Sequence, residues 1–141
     1  MKQWISFVVG GTEYVADSAP VQRVVRNVKV TPLPEAPGQV LGVINLQGKV
    51  VPVIDTDSLF GANSGGETLD AAQMIIIDAG GEQAALPVDE VTDVEIDRGD
   101  SLQPSPVDSD LVTGFVIRNG EAVPVIDLQV VVERGKGGGS R

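Results

Sequence analysis

An internal repeat constrains this chain more than any other feature of its sequence. Aligning the chain with itself at an offset of 72 residues places 42–55 on 114–127 without a gap, and seven of the fourteen pairs are identical. Each copy contains a predicted strand, a glycine turn and the run Val-Pro-Val-Ile-Asp. A weaker similarity lies upstream, where 10–11 and 80–81 are both Gly-Gly before a predicted strand. The repeat predicts two related units in pseudo-symmetry.

The residue types favour strands over helices. Valine and isoleucine together number 33, against nine leucines and ten alanines, and the stiff side chains of β-branched residues suit strands. Asn119-Gly120 is the clearest hairpin, because a type I′ turn needs two residues that tolerate positive φ. The sequence predicts ten strands, at 3–9, 12–16, 28–31, 40–46, 50–55, 73–78, 82–87, 92–96, 112–118 and 121–126.

Two or three short helices complete the prediction. The first begins near Ser18 and places Val21, Val24, Val25 and Val28 on one face at helical spacing. The other two are a turn over 56–60 that ends at a glycine and a segment over 128–133. The glycine-containing segments 61–70 and 99–110 are predicted to be flexible connections, and the Gly-rich end 135–141 is predicted to be disordered.

Five short strands per unit close better as a small barrel than as an open sheet with bare edges. We therefore predict an all-β fold of two pseudo-symmetric five-stranded SH3-like β-barrels. They form a single domain over 1–134, with subdomains over roughly 12–66 and 67–134. The first strand is a candidate for exchange into the second barrel.

Charge and composition exclude several functions. The chain lacks cysteine and histidine, which removes disulfides, thiolate nucleophiles, imidazole bases and the common zinc and haem sites. A formal net charge of −10 opposes binding to nucleic acid or to an anionic membrane. No apolar run reaches the ~20 residues needed to cross a bilayer, and no signal peptide is evident, so we expect a cytoplasmic protein. Partners should be proteins or small molecules.

Two equivalent carboxylates invite a catalytic interpretation. Asp55 and Asp127 follow the two copies of the repeated strand, as the paired aspartates of an acid protease would. Neither is followed by the glycine that such a site uses, so capping of the next helical turn is the favoured role.

Arg23, Arg26 and Lys29 form a basic stripe on the first predicted helix, which is a solvated surface or a docking patch. No nucleophile is paired with a base, so the residues favour a binding protein over an enzyme.

The run from Thr31 to Asp55, and especially Gly-Val-Ile-Asn-Leu-Gln-Gly-Lys-Val-Val-Pro-Val-Ile-Asp, resembles the CheW family of chemotaxis coupling proteins. The resemblance extends over about 3–132 and implies the CheW-like two-barrel fold. It also implies a non-catalytic adaptor without a cofactor. Its partners would be the regulatory domain of a CheA-type histidine kinase and the cytoplasmic tip of chemoreceptors. The alternative is a β-barrel ligand-binding or regulatory domain that is not linked to receptors.

The resemblance also implies a receptor-binding site, at Val21, Arg23, Gly42, Gln47 and Val91. Both valines would be exposed apolar anchors, and the glycine would allow a close approach of backbone. Family members usually carry Glu at the position of Arg23 and Arg at the position of Gln47. They also have Leu-Arg where this chain has Thr-Asp at 56–57. The charge of the predicted receptor groove therefore differs from the charge that is usual in the family.

Overall fold

The computed structural model describes residues 3–36, 38–62, 73–96 and 102–136. Within these ranges the chain forms twelve strands and two short helices. In chain order they are β1 (Gln3–Val9), β2 (Thr12–Asp17), β3 (Val21–Arg26), β4 (Thr31–Pro32), β5 (Val40–Leu46), β6 (Lys49–Ile54), α1 (Thr56–Phe60), β7 (Gln73–Ala79), β8 (Glu82–Val88), β9 (Glu90–Ile96), β10 (Leu102–Pro104), β11 (Val112–Arg118), β12 (Glu121–Ile126) and α2 (Leu128–Gly135).

The strands form two six-stranded sheets with the same internal order. Sheet 1 runs β10-β11-β12-β2-β1-β9, and sheet 2 runs β4-β5-β6-β8-β7-β3. The repeated strands β6 and β12 occupy equivalent third positions, and each pairs in parallel with the second strand of a hairpin. The all-β class and the pseudo-symmetry predicted from the repeat are confirmed, with six strands in each unit rather than five.

Each sheet takes strands from both halves of the chain. The hairpin β1-β2 joins the sheet that contains β9 to β12, whereas β7-β8 joins the sheet that contains β3 to β6. Both strands of the first hairpin are thus exchanged, where the sequence suggested only the first. The division into subdomains at about residue 66 stays a prediction.

Two-residue turns close the four hairpins of the sheets. Both residues have positive φ in each turn, with 53° and 88° at Gln47 and Gly48 and 51° and 81° at Asn119 and Gly120. This is the type I′ geometry that matches the twist of paired strands. The predicted Asn-Gly hairpin is confirmed, and Gln47 occupies the equivalent corner of the other unit.

Three groups of buried apolar side chains hold the molecule together. The largest lies between the sheets and includes Phe7, Ile75, Leu86 and, from α2, Val131. The cluster of sheet 2 contains Ile44, Val51, Val53, Met74, Ile76 and Ala85. The cluster of sheet 1 contains Trp4, Val15, Val116, Val123 and Val125. Because the two smaller clusters occupy equivalent positions, each unit has its own core in addition to the shared one.

Both helices begin at the aspartates that end the repeated strands. The Asp55 side chain accepts a hydrogen bond from the Ser58 backbone N–H at 3.2 Å, and Asp127 accepts from the Gln129 N–H at 2.9 Å. These contacts support the capping role rather than the catalytic one. Helix α2 extends through Gly135, which is buried, although the sequence assigned this residue to the tail.

The structure contradicts three parts of the sequence prediction. The segment predicted as the first helix forms β3. The strand predicted at 28–31 keeps only Thr31, which begins the two-residue strand β4. The segment predicted as a flexible connection over 99–110 contains the short strand β10. Residues 63–70 of the other connection and 137–141 of the predicted disordered tail lie outside the described residues.

Candidate functional site

A groove of about 490 Å³ opens at one end of sheet 2. Its lining side chains come from the edge strand β3, the β5-β6 hairpin and the start of β8. We call this feature the basic groove and define it by Gln22, Arg23, Leu46, Gln47, Lys49 and Gln83.

Strand register explains why these side chains converge. Arg23 pairs with Ile76 and Leu46 pairs with Lys49. Directly opposed residues point to the same face of a sheet, and alternate residues along a strand share that face. Ile76 belongs to the apolar cluster of sheet 2, against which Leu46 packs. The groove is therefore the polar mouth above that apolar cluster.

Hydrogen bonds fix one wall of the basic groove. The Gln22 Nε2 group donates to the Asp78 carboxylate at 3.2 Å, and Gln22 Oε1 accepts from Gln83 Nε2. Asp78 is itself held by the Gly81 backbone N–H at 2.9 Å. This chain of contacts orients the two glutamine side chains before any ligand arrives.

The groove carries positive charge on a strongly acidic protein. Arg23 and Lys49 are both exposed, and in the part of the chain that the structure describes neither forms an ion pair. Gln22, Leu46, Gln47 and Gln83 carry no charge, and the Asp78 carboxylate behind the wall already accepts from Gln22 Nε2 and the Gly81 N–H. The N–H groups of Arg23 and Lys49 are donors without acceptor capacity. The site can therefore accept carboxylate or another anionic oxygen group.

The equivalent mouth in sheet 1 has the opposite character. Arg118 occupies the position of Leu46, and it donates to Ser6 Oγ at 2.9 Å and to Glu13 Oε2 at 3.2 Å. Ser6 is fully buried and pairs with Asp93, just as Ile76 pairs with Arg23. Glu13, Asp93 and Glu121 take the positions of Gln83, Arg23 and Lys49. We call Glu13, Asp93, Arg118 and Glu121 the acidic mouth, since three carboxylates stand at these positions and the one cation is already paired with Glu13.

The structure brings two of the five predicted receptor-binding residues into the basic groove, namely Arg23 and Gln47. Val21 and Val91 lie at the ends of the equivalent edge strands β3 and β9 and pack against the core between the sheets. Both are half-buried rather than exposed, and the Val91 backbone N–H donates to Gln73 Oε1 at 3.0 Å. Each valine therefore presents only part of its side chain at the surface, and its role as an anchor stays a prediction.

Gly42 is buried within sheet 2, and its missing side chain has a structural explanation. A Cβ atom built there would lie 2.3 Å from the Thr31 carbonyl oxygen and 3.0 Å from Val30 Cγ1. Gly114, its repeat partner, would meet the Gln103 carbonyl oxygen at 2.5 Å. The close approach of backbone expected at Gly42 thus comes from the neighbouring strand of the same chain.

Four residues of the basic groove were not expected from the sequence, namely Gln22, Leu46, Lys49 and Gln83. The repeat alignment contained a signal for two of them, because Leu46 aligns with Arg118 and Lys49 aligns with Glu121. Such charge changes at otherwise related positions indicate that the two units expose different surfaces.

One further titratable group is perturbed, at a distance from the basic groove. Tyr14 lies in an aromatic cluster, with its ring centroid 6.0 Å from that of Phe7 and 5.0 Å from that of Phe60. Burial raises the pKa of the Tyr14 hydroxyl, because the charged phenolate loses hydration. The cluster is a packing feature of the shared core.

The described residues contain no group of three or more Asp and Glu side chains arranged to hold a metal ion. Their helices are too short and too polar to span a bilayer. The fold and the groove define a duplicated β-sheet domain with a charged surface groove.

Comparisons with known proteins agree with this class. The model of the CheW-like domain family matches residues 3–136. The chain is 31% identical to the chemotaxis protein CheW of Rhizobium meliloti (strain 1021) over 135 residues, which are 92% of this chain and 86% of that protein. It is 24% identical to the chemotaxis protein CheW of Helicobacter pylori (strain ATCC 700392 / 26695), over 94% of this chain and 82% of that protein.

A solved structure also matches the fold. The scaffolding protein TtCheW from Thermoanaerobacter tengcongensis gives a TM-score of 0.80 at 32% sequence identity, and the match covers 94% of this chain and 92% of that chain. The chain therefore belongs to the CheW-like domain family.

Proposed function

We propose that this protein is a non-catalytic cytoplasmic adaptor in chemotaxis or in a chemotaxis-like pathway. It would couple the cytoplasmic tip of chemoreceptors to the regulatory domain of a CheA-type histidine kinase. The observation that carries the proposal is the match of the CheW-like family model to 3–136, a range that includes every residue the structure describes. The name of the structural match, a scaffolding protein, supports the same role.

The proposed mechanism is architectural. An adaptor that contacts both partners holds them at a fixed separation and needs no reacting side chain. Receptor signals would then shift the conformational populations of the kinase through contacts that differ between its states. The paired aspartates, which cap helices, and the Arg118 network, which is internally satisfied, are consistent with such a passive frame.

We place the receptor contact at Val21, Arg23, Gly42, Gln47 and Val91. Arg23 and Gln47 would make polar contacts from the basic groove. The half-buried valines would present only part of their surfaces to a partner. Gly42 would act indirectly, because its role is to seat the short strand β4 against β5.

Reconstitution tests this function. Receptor-containing membranes and the CheA-type kinase from the same genome are mixed with and without this protein, and kinase autophosphorylation is measured. Receptor-dependent activity should require the protein and should fall when Arg23 is replaced by Glu. Arg26→Glu is the matched control, since Arg26 lies on the opposite face of the same strand. Equal kinase activity with and without the protein would refute the adaptor role.

A further inference from the structure

The duplicated fold provides an internal comparison for the basic groove. At equivalent positions one unit has Arg23, Lys49 and Gln83, and the other has Asp93, Glu121 and Glu13. In the acidic mouth, the Arg118 guanidinium donates hydrogen bonds to Ser6 and Glu13. In the basic groove, Arg23 and Lys49 are exposed. Pseudo-symmetry alone would give similar mouths, so the difference belongs to these side chains and not to the fold.

We infer that the basic groove binds an acidic segment of a protein partner through at least two of the segment's carboxylates. The inference rests on the proposed function only for which protein carries the segment. Arg23 and Lys49 provide the charge, Gln47 provides an adaptable amide, and the hydrogen-bonded Gln22 and Gln83 form a fixed wall.

The spacing of the cations favours a segment over a single small anion. Arg23 lies on β3 and Lys49 on β6, with β7 and β8 between them. The two cations therefore come from different strands of sheet 2 and lie at separate points of the groove lining. A chain with several carboxylates satisfies both ends of this groove, whereas one compact anion engages mainly one end.

The charge of the whole molecule argues against larger occupants. A net charge of −10 repels a nucleic acid, an anionic membrane or a second copy of this chain. A short acidic segment that enters the groove experiences the local cations most strongly, because screening limits charge interactions to about 10 Å at ordinary salt. The groove volume of about 490 Å³ suits a few side chains of such a segment.

Titration with a blocked hexaglutamate peptide tests the inference. Amide chemical shifts of the full chain are followed by NMR at about 0.05 M and about 0.3 M salt, with hexaglutamine as the uncharged control. We expect shifts centred on the basic groove that weaken at the higher salt. Hexaglutamine should cause none of them.

A matched pair of variants separates the groove from net charge. Arg23→Gln with Lys49→Gln should weaken hexaglutamate binding by about two- to thirtyfold, the range expected when two exposed ion pairs are lost. Arg26→Gln with Lys29→Gln removes the same charge from exposed positions outside the groove lining and should leave the affinity within about twofold. Equal losses in the two variants, or shifts outside the groove, would overturn the inference.

Three further measurements test the other occupants. Inorganic phosphate that displaces the peptide at equal total charge would assign a small-anion site. Binding of the protein to vesicles of anionic lipid, lost in the groove variant, would assign a membrane. Sedimentation that shows self-association, lost in the same variant, would assign a second copy. Each of these results would overturn the inference. If the peptide binds to the groove but the reconstitution shows no receptor coupling, the proposed function is refuted and the inference stands. The two outcomes can differ because the titration contains neither receptor nor kinase.

Discussion

Replacement of Gly42 by alanine should detach the short strand β4 from sheet 2. The new Cβ would lie 2.3 Å from the Thr31 carbonyl oxygen, although the closest carbon–oxygen contacts between strands are about 3.3 to 3.6 Å. One strand must therefore move by roughly 1 Å. Strand β4 has only two residues and lies at the sheet edge, whereas β5 is held by β6 on its other side. The displacement should fall on β4.

The cost can be worked from what β4 contributes. Overpacking of a well-packed site typically costs about 1 to 3 kcal/mol, and the loss of a two-residue ladder is of the same size. Alanine also restricts the unfolded chain, which opposes this loss by about 0.4 to 1 kcal/mol. After this subtraction we expect the free energy of unfolding to fall by about 0.5 to 2.5 kcal/mol and the Tm by about 2 to 8 °C.

Denaturant unfolding and amide hydrogen exchange measure this effect. Exchange should accelerate at Thr31 and Val43, which pair across the two strands, while the core strand β7 keeps its protection. Gly114→Ala is the parallel variant in the other unit, where the Cβ would lie 2.5 Å from the Gln103 carbonyl oxygen, and it should lose a similar amount. If Gly42→Ala unfolds within about 0.5 kcal/mol of the wild type and exchange at Thr31 is unchanged, the steric reasoning is wrong.

Three other predictions concern pH, salt and charge. Because burial raises the pKa of Tyr14 above its usual 10.0, the folded state keeps a proton that the unfolded state has lost, and the free energy of unfolding should fall as pH rises past about 10. Tyr14→Phe should flatten that slope in denaturant titrations, and identical slopes would contradict the assignment. Binding to the kinase regulatory domain, measured by calorimetry, should survive about 0.3 M salt if apolar strand edges dominate the contact, and complete loss would indicate a purely electrostatic interface. Arg23→Glu with Gln47→Arg should weaken receptor binding and keep kinase binding within about 1 kcal/mol of the wild type, whereas loss of the kinase instead would misplace the receptor site.

The strand β3 shows where local pattern and tertiary pairing disagree. Val21, Val24, Val25 and Val28 are spaced as on a helix, but valine is a poor helix former and no leucine or alanine supports the segment between them. In the structure β3 pairs with β7, and a register shift separates Val21 from Arg23. Val21 faces the shared core and Val25 the cluster of sheet 2. The valines are spaced as on a helix because the bulge in β3 turns successive valines toward two different cores.

The repeat carried more information than local pattern did. Shifting Thr31–Pro32 by 72 residues gives 103–104, which lies within the strand β10 that composition assigned to a loop. A strand of three residues has too little sequence to be recognised by alternation, so only its equivalence to β4 could reveal it. The repeat also predicted the equivalent positions of β6 and β12.

The basic groove depended on information that the repeat does not contain. Its lining includes Gln83, from a hairpin of the second half of the chain, beside Arg23 and Lys49 from the first half. The hairpins β1-β2 and β7-β8 present similar apolar faces, so their sequences do not show which sheet each one joins. Pairing between distant parts of the chain decides this. The resemblance to a family indicated Arg23 and Gln47, and the repeat marked Leu46 and Lys49 as changed in charge. Gln83 joins them only through the exchanged topology.

The exchanged first hairpin also sets an order for assembly during synthesis. Strand β2 pairs in parallel with β12 through Val15 and Val125, so the ribosome must add 110 residues between the two partners. At about 5 to 20 residues per second this takes roughly 5 to 20 s. Strand β9, which pairs with β1, is made earlier, but until β12 emerges the apolar side chains of Trp4 and Val15 lack Val125, against which they end up buried. The nascent chain therefore carries this hairpin with the β2 edge unpaired until β12 has been made, and sheet 1 closes only then.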